Sequence, residues 1–315
     1  MPATPHHQAD HVDHARIHVR MDELIALRQR VTHAAVRQMI HASAQAGERA
    51  TRRRGQGMDY LESRAYQAGD DVRHLDWRLT ARSGSLHTKI FQEEGEHEVM
   101  LLVDTHASMR FGTRACFKSV QAARAAALMA WQVARIGGRV GALAFGACRR
   151  VQPAAAGQRG ALGVCGALAR WDGAMHEAGS GEPLSSALKR MRPLLGHPGH
   201  VVLVSDGHSC DASASSVLAH WRRRTRVSVL VVTDPLESSC PPAGRYPLVC
   251  ADRRVMVDLD SMRAREDFMR TMGAGARRLE EACRHAALTC RHVDTRDDPL
   301  AATTALLGLT RRRTR

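Results

Sequence analysis

Residues 99–112 read VMLLVDTHASMRFG: an apolar run ends at Asp104 and passes directly into a polar loop that contains His106 and Ser108. A short, unbroken run of aliphatic residues is typical of a strand that is buried on both faces. In α/β proteins, ligands bind at the carboxyl ends of such strands. We therefore expect the loop after residue 103 to carry a functional site.

On either side of this strand the chain alternates between apolar strands and helical stretches. Such alternation is typical of a parallel sheet with helices on both faces, so the sequence predicts an α/β fold with a Rossmann-like, doubly wound, mostly parallel sheet. The predicted strands are 99–103, 139–145, 201–205, 227–232 and 288–293, and the predicted helices are 118–135, 184–195, 213–223 and 299–309.

The flanking regions are less regular. Apolar periodicity predicts an amphipathic helix over 22–46 with Asp22 as its N-cap, a hairpin over 248–259 and a long helix over 261–286. Four regions are expected: a disordered, His-rich tail (1–20), an N-terminal helical and β extension (21–97), the α/β domain (98–310) and a basic tail (311–315).

The composition is globular but strongly basic. Hydrophobic residues make up 44% and charged residues 25%, and the net charge is +14. A basic balance attracts nucleic acid, an anionic membrane or an acidic protein, and a bias toward arginine codons produces the same balance. The basic runs at 52–54, 222–224 and 311–313 have no interleaved aromatic residues for base stacking, which argues against nucleic acid.

Cysteine usage and apolar runs indicate a cytoplasmic protein. None of the eight cysteines forms a C-x-x-C pair, so neither a zinc ribbon nor a thioredoxin-type site is predicted. No segment resembles a signal peptide or approaches the ~20 apolar residues of a membrane span. We expect reduced thiols and no membrane span.

No complete catalytic set is apparent. Residues 205–208 place serine, aspartate and histidine side by side, but sequence neighbours on a strand and turn do not meet as nucleophile, base and orienter. A Gly-rich phosphate loop is also absent. These observations predict that the protein is not an enzyme.

Three segments carry a family resemblance. Residues 99–112 resemble the first strand and metal-site loop of a von Willebrand factor A-type domain. The stretch YQAGDDVRHLDWRLTARSG at 66–84 is similar to the hallmark block of the bacterial domain of unknown function 58 family, and 232–237 resembles a later segment of that family. The resemblance implies a von Willebrand A-type fold and, as partners, a MoxR-type AAA+ ATPase, other von Willebrand A-type proteins and a client protein. Many family members carry N-terminal membrane helices, which this sequence does not show.

The same resemblance implies a metal-ion-dependent adhesion site with the pattern D-x-S-x-S. Asp104 matches its first Asp, Ser108 its second Ser and Asp206 its distal Asp, whereas His106 stands at the first Ser. The Thr position falls on Glu182 or Ser180. Imidazole suits Mg²⁺ poorly because that ion prefers oxygen ligands, so the site looks degenerate.

Two hypotheses follow for this site. In the first, Asp104, Ser108 and Asp206 hold a weak Mg²⁺ or Mn²⁺ ion, and Glu182 or Ser180 replaces the Thr. In the second, which we favour, a protonated His106 pairs with one of the carboxylates and blocks the site, so that no metal binds.

The hallmark block predicts a structural clamp on the α/β core. Trp77 is expected to wedge into the core while arginines bridge carboxylates in fork geometry, and a catalytic role for the acidic residues is the alternative. The signature residues are Gly69, Asp70, Asp71, Arg73, Asp76, Trp77 and Arg78.

Together these features predict a non-enzymatic, chaperone-like adaptor that binds proteins at the strand ends. It would help a MoxR-type ATPase remodel a client, assemble it, or insert a cofactor or metal. The expected contact residues are Asp104, Met109, Arg110, Glu182, Asp206 and His208. Two alternatives remain: a phosphoester hydrolase that holds two cations with Asp104, Asp206 and Glu182, and nucleic-acid binding through arginines.

Overall fold

The computed structural model describes residues 16–31, 58–67, 72–93, 98–174, 181–195, 199–250 and 253–308. The chain divides into two compact units, a smaller one over Ala46–Glu96 and a larger one that contains the rest. The strands are β1 (Met58–Ala65), β2 (His87–Glu93), β3 (Glu98–Asp104), β4 (Arg139–Phe145), β5 (Val151–Ala156), β6 (His200–Ser205), β7 (Arg226–Thr233), β8 (Arg245–Cys250), β9 (Arg253–Asp258) and β10 (Thr289–Asp294). The helices are α1 (Met21–Ala26), α2 (Trp77–Ser83), α3 (Lys118–Arg135), α4 (Gly157–Ala174), α5 (Leu184–Met191), α6 (Ala214–Arg222), α7 (Pro235–Ser238), α8 (Met262–Met272), α9 (Ala274–His285) and α10 (Pro299–Leu306).

The larger unit is built on a six-stranded sheet with the order β10-β7-β6-β3-β4-β5. Its strands are parallel except for β5, which pairs antiparallel with β4 at one edge. Counted along the chain within this sheet, the order is 3-2-1-4-5-6, which is that of a doubly wound α/β fold. The predicted fold class is confirmed, and the strand order reverses between β3 and β6.

Helices cover both faces of the sheet. Leu101 and Val103 of β3 face one apolar cluster, which includes α3 and α4, while Met100 and Leu102 face the other, which includes α5, α6 and α9. Because apolar clusters cover both faces of the sheet, β3 is buried along its whole length. This burial explains why β3 reads as a continuous apolar run.

Strand β5 and helix α4 are absent from the sequence prediction. Pro153 disfavours a strand, but β5 lies at the sheet edge, where a missing N–H is tolerated. Helix α4 carries glycine at every third position near its start, which lowers its helix propensity. A Cβ at Gly160 would lie 2.0 Å from the carbonyl oxygen of Ala155, so this glycine allows the close approach of α4 to β5.

The N-terminal helix differs from its prediction in length and in its cap. It starts at Met21 after Arg20, and Asp22 lies in its first turn, where it pairs with the Arg20 side chain. A 3₁₀ turn follows over 27–30, and residues 32–46 lie outside the described residues. Leu24 is buried and its carbonyl accepts a hydrogen bond from the Trp131 indole at 2.9 Å, so α1 belongs to the larger unit and not to the extension predicted over 21–97.

The predicted helix over 261–286 is two helices, α8 and α9, that meet at Gly273. A Cβ on this residue would lie 2.9 Å from the Glu237 carbonyl oxygen, so a side chain there would clash with α7. The predicted hairpin is confirmed as β8 and β9.

The smaller unit corrects part of the clamp prediction. Asp76 is the N-cap of α2: its carboxylate accepts hydrogen bonds from the Leu79 N–H at 3.1 Å and the Ser63 hydroxyl at 2.7 Å. These bonds hold the pKa of Asp76 below its usual value. Trp77, at the start of that helix, is 66% exposed, so it does not pack into an apolar core of the smaller unit.

Other predicted features are only partly covered. Arg73 lies in a 3₁₀ turn and Arg78 in the first turn of α2, and both are exposed. Gly69, Asp70 and Asp71 lie outside the described residues, as do the chain ends at 1–15 and 309–315. Within the described ranges, no helix combines the length and the apolar character that crossing a bilayer requires.

We expect the sheet-facing side of α3 to dominate stability. Leu128 is fully buried, whereas Leu162 on α4 is 39% exposed. Leu128→Ala leaves a cavity and lowers the free energy of unfolding by about 2–5 kcal/mol, and the matched control Leu162→Ala lowers it by much less. Urea unfolding followed by circular dichroism measures both; equal losses in the two variants would contradict the described packing.

Candidate functional site

The two strand ends at the reversal of the sheet bring the predicted acidic residues together. Asp104 is the last residue of β3, and Asp206 directly follows β6, its parallel neighbour. Both carboxylates are buried, with exposures of 0% and 2%. Buried carboxylates need partners, and each of these has several.

Asp104 is saturated with hydrogen-bond donors. One carboxylate oxygen accepts from the hydroxyls of Ser205 at 2.5 Å and Ser209 at 2.8 Å. The other accepts from the backbone N–H of His106 at 2.9 Å and contacts its Nδ1 at 2.6 Å. The pairing of His106 with Asp104 agrees with the second of the two hypotheses.

The His106 ring occupies a slot that two glycines create. A Cβ at Gly181 would lie 2.1 Å from its Cδ2, and a Cβ at Gly146 would lie 2.5 Å from its Nδ1. The ring also meets Phe145 edge to face, with a centroid distance of 5.7 Å. Imidazole therefore fits this place in the fold, and larger residues at either glycine would displace it.

The charge state of His106 follows from its neighbours. Burial lowers its pKa, but the hydrogen bond and charge of Asp104, with the more distant charges of Asp206 and Glu182, outweigh that effect. The net result is a His106 pKa above the usual imidazole value, which favours the protonated form.

Asp206 is paired with a residue that the sequence prediction missed. Lys118, the first residue of α3, places its Nζ 2.8 Å from Asp206 and 2.5 Å from Glu237 of α7. The lysine side chain is 1% exposed. Lysine is rare here, since only three of the 46 basic residues are lysines, and this rarity is the one sequence signal that could have pointed to it.

Burial and charge oppose each other in this triad. Burial lowers the pKa of Lys118, but Asp206 and Glu237 raise it above the usual lysine value. Burial likewise raises the pKa of Asp206, and Lys118 with His208 overcomes this and holds it below the usual value. The pKa of Glu237 is raised by burial, which Lys118 offsets in part. The ammonium is thus a cation held between two carboxylates.

Glu182 is also neutralised from within the chain. Arg190 on α5 binds it in fork geometry at 3.0 and 2.6 Å and donates a further bond to the Ala144 carbonyl. The third predicted carboxylate of the site therefore has a cationic partner of its own, and it is 5% exposed. Sequence inspection did not identify Arg190.

The remaining predicted residues have different environments. The Ser108 hydroxyl is buried and makes no hydrogen bond with any residue that the structure describes, and Ser180 lies outside the described residues. Met109 is fully buried, so its predicted role in partner binding is wrong. Arg110 and His208 are partly exposed, and the Arg110 guanidinium lies 5.6 Å from the centroid of the Phe117 ring.

These donors do not fit a hard divalent cation. Asp206, His208 and Glu237 come within 4.8 Å of one another, but the ammonium of Lys118 binds both of the carboxylates. Asp104 likewise makes four contacts with donors of the chain, two of them with the backbone N–H and the Nδ1 of His106. The free hydroxyl of Ser108 is the one predicted ligand within the described residues that has an unused oxygen. A divalent ion would have to displace a cation of the chain at each carboxylate.

Comparisons with known proteins agree with the predicted family. The family model described as "Protein of unknown function DUF58" matches residues 62–278. The uncharacterized proteins Mb1516 of Mycobacterium bovis and Rv1480 of Mycobacterium tuberculosis are 33% identical over 222 residues, which span 70% of this chain and 69% of theirs.

Solved structures with a similar backbone share little sequence with the chain. BatB from Bacteroides thetaiotaomicron aligns with a TM-score of 0.43 and 14% identity over 67% of this chain and 96% of its own. An aerotolerance-related membrane protein from Bacteroides fragilis aligns with a TM-score of 0.42 and 14% identity over 66% of this chain and 96% of its own. A von Willebrand factor type A protein from Catenulispora acidiphila aligns with a TM-score of 0.38 and 13% identity over 70% of this chain and 43% of its own.

We expect Lys118→Met to destabilise the protein strongly at neutral pH. The variant keeps the volume of the side chain but leaves Asp206 and Glu237 facing each other without a cation, a loss of about 3–5 kcal/mol for a broken buried pair. Urea unfolding at pH 7 measures it, and Lys189→Met, at an exposed position of α5, is the matched control.

The stability difference between the wild type and Lys118→Met should depend on pH. Asp206 has a lowered pKa, so its pairing stabilises the wild type above the usual aspartate value of 3.8 and is lost as the pH falls below it. Lys118 has a raised pKa, so its contribution persists up to the usual lysine value of 10.5. In the variant the uncompensated carboxylates protonate more readily, and the stability gap to the wild type narrows between pH 7 and 5. A gap that stays constant over this range would contradict the triad.

Proposed function

The chain belongs to the DUF58 family, and from this membership we propose that it is a non-enzymatic adaptor that binds proteins and works with a MoxR-type AAA+ ATPase. Its task would be to present a client for remodelling, assembly or insertion of a cofactor or metal. The family resemblance supports the choice of ATPase. The geometry of the strand-end site supports binding in place of turnover.

One observation carries the proposal: each acidic residue of the site is paired with a basic residue of the chain itself. Asp104 pairs with His106, Asp206 with Lys118, and Glu182 with Arg190. Two-metal hydrolysis needs carboxylates that are free to hold cations, so this arrangement does not favour a phosphoester hydrolase. A surface that is assembled in advance binds partners at a lower entropic cost.

The surface available to a partner consists of the residues around the buried acidic residues. Asp104, Glu182 and Asp206 are themselves buried, and their role is to hold the surrounding loops in place. We define the rim as the exposed or partly exposed residues around them: Ala107, Arg110, Thr113, Arg114, Pro183 and His208. Its two arginines favour an acidic partner surface.

We also propose that the site works without a metal. In adhesion sites of this type a cation links the domain to a carboxylate of the partner; here the rim arginines would take that role by binding carboxylates directly. Weak Mg²⁺ or Mn²⁺ binding is the alternative, and it requires the displacement of Lys118 or His106.

The adaptor role is tested by binding to a purified MoxR-type ATPase from the same organism. We expect capture that depends on the nucleotide, and a loss of at least about tenfold in affinity for Arg110→Glu, because the reversed charge repels an acidic partner. Arg224→Glu has the same change of charge just before the N-terminal end of β7, at the opposite end of the parallel strands from the site, and should bind like the wild type. Capture that is indifferent to nucleotide and to both variants would reject the proposal.

Calorimetric titration with Mg²⁺ and Mn²⁺ tests the metal-free site. No saturable binding at micromolar concentration is expected for the wild type, whereas His106→Ser restores the D-x-S-x-S pattern and should gain weak binding. Micromolar binding by the wild type that disappears in Asp104→Ala would show that the cation, and not His106, completes the site.

A further inference from the structure

A second cluster of reactive side chains lies between α9 and β10, away from the strand-end site. Cys283 and Glu280 are about one helical turn apart on α9. Cys290 and His292 are two residues apart on β10, so their side chains lie on the same face of the strand. The helix packs on this face of the strand, so the four side chains meet there.

The contacts within the cluster form a chain. Cys290 packs against the core cluster that contains Cys283, and the two thiols shift each other's pKa, as do Cys290 and His292. His292 Nε2 in turn lies 3.4 Å from a carboxylate oxygen of Glu280. A thiol next to an imidazole that a carboxylate orients is the arrangement of an activated cysteine.

The accessibility of the two thiols differs. Cys283 is buried in the core cluster, with an exposure of 2%, whereas Cys290 is partly exposed on the edge strand of the sheet. A small oxidant can therefore reach Cys290, while Cys283 is shielded and lies next to it. An exposed reactive thiol beside a buried one is typical of a pair that closes a disulfide after oxidation.

We propose that Cys290 and Cys283 form a peroxide-oxidisable dithiol, in which Cys290 reacts first and Cys283 resolves it to a disulfide. In the first step the Cys290 thiolate attacks one oxygen of hydrogen peroxide. The O–O bond breaks, Cys290 becomes a sulfenic acid, and the leaving hydroxide takes a proton from the imidazolium of His292 to form water.

In the second step the Cys283 sulfur attacks the Cys290 sulfur. The S–S bond forms as the S–OH bond breaks, and the departing hydroxide takes the Cys283 proton to form a second water. The pair loses two electrons and two protons in total, and hydrogen peroxide is the oxidant. The disulfide would join the end of α9 to the start of β10.

The electrostatics of the cluster agree with this order. The neighbouring Cys283 thiol, helped by His292, lowers the pKa of Cys290 to about 6 despite its burial, which favours the thiolate at neutral pH. The same contact, with burial, raises the pKa of Cys283. Cys290 raises the pKa of His292. Cys210, on the loop after β6, faces Cys283 and raises its pKa further.

The test uses the full chain, reduced and then freed of reductant, treated with a small excess of hydrogen peroxide and alkylated. Peptide mass spectrometry should find a cross-link between Cys283 and Cys290 that lacks two hydrogen atoms. Cys210→Ser should give the same cross-link, because this thiol is not a partner. Cys283→Ser should lose the cross-link and accumulate a sulfenic acid on Cys290 that dimedone traps.

A second measurement does not depend on disulfide formation. The alkylation rate of Cys290 by iodoacetamide should follow a titration with a midpoint near pH 6, and His292→Gln should move that midpoint upward. Cys240, also partly exposed, is the internal reference for access of the reagent. The proposal is overturned if the alkylation of Cys290 shows no midpoint below the usual thiol pKa of about 8.5, or if peroxide links Cys283 to Cys210.

Discussion

The ammonium of Lys118 between Asp206 and Glu237 is the constraint on which the site depends. It joins the first residue of α3 to the loop after β6 and to α7, three segments that are far apart in the sequence. The group is nearly inaccessible to water, so its desolvation is balanced only while both carboxylates remain in place. The positions of Asp206 and Glu237 depend on this buried cation, and so does that of His208, whose backbone N–H donates to the Asp206 carboxylate.

The alternation of apolar strands and helices was sufficient to predict the sheet and its class. It failed where local propensity and tertiary packing disagree. Pro153 in β5 and the repeated glycines of α4 argue against regular structure in isolation, and the edge position and close backbone contact reverse both effects. Gly273 shows the opposite case, in which the sequence pattern continues but the helix ends. The helix over 262–272 stops at this residue, and α7 leaves no room for a side chain there.

The site was predicted in part because two of its acids lie at strand ends, where the topology brings them together. The pairing of His106 with Asp104 was among the predicted options because the two residues are two positions apart. The partners Lys118 and Arg190 were missed because each reaches its carboxylate from another element, and periodicity carries no information about such contacts. Trp77 was predicted to be buried, but it is exposed. Its position directly after the N-cap of α2 does not determine whether the aromatic side chain points inward or outward.

Gly207 and Gly275 place two backbones in direct contact. A Cβ at Gly207 would lie 2.2 Å from the carbonyl oxygen of Gly275, and one at Gly275 would lie 2.7 Å from that of Asp206. With no side chains between them to absorb a shift, we expect a displacement of the loop after β6 to be transmitted to the first turn of α9. Cys283 lies near the other end of the same helix, so a partner that displaces this loop and a cross-link that anchors the helix would each change the free energy of the other, equally and in both directions.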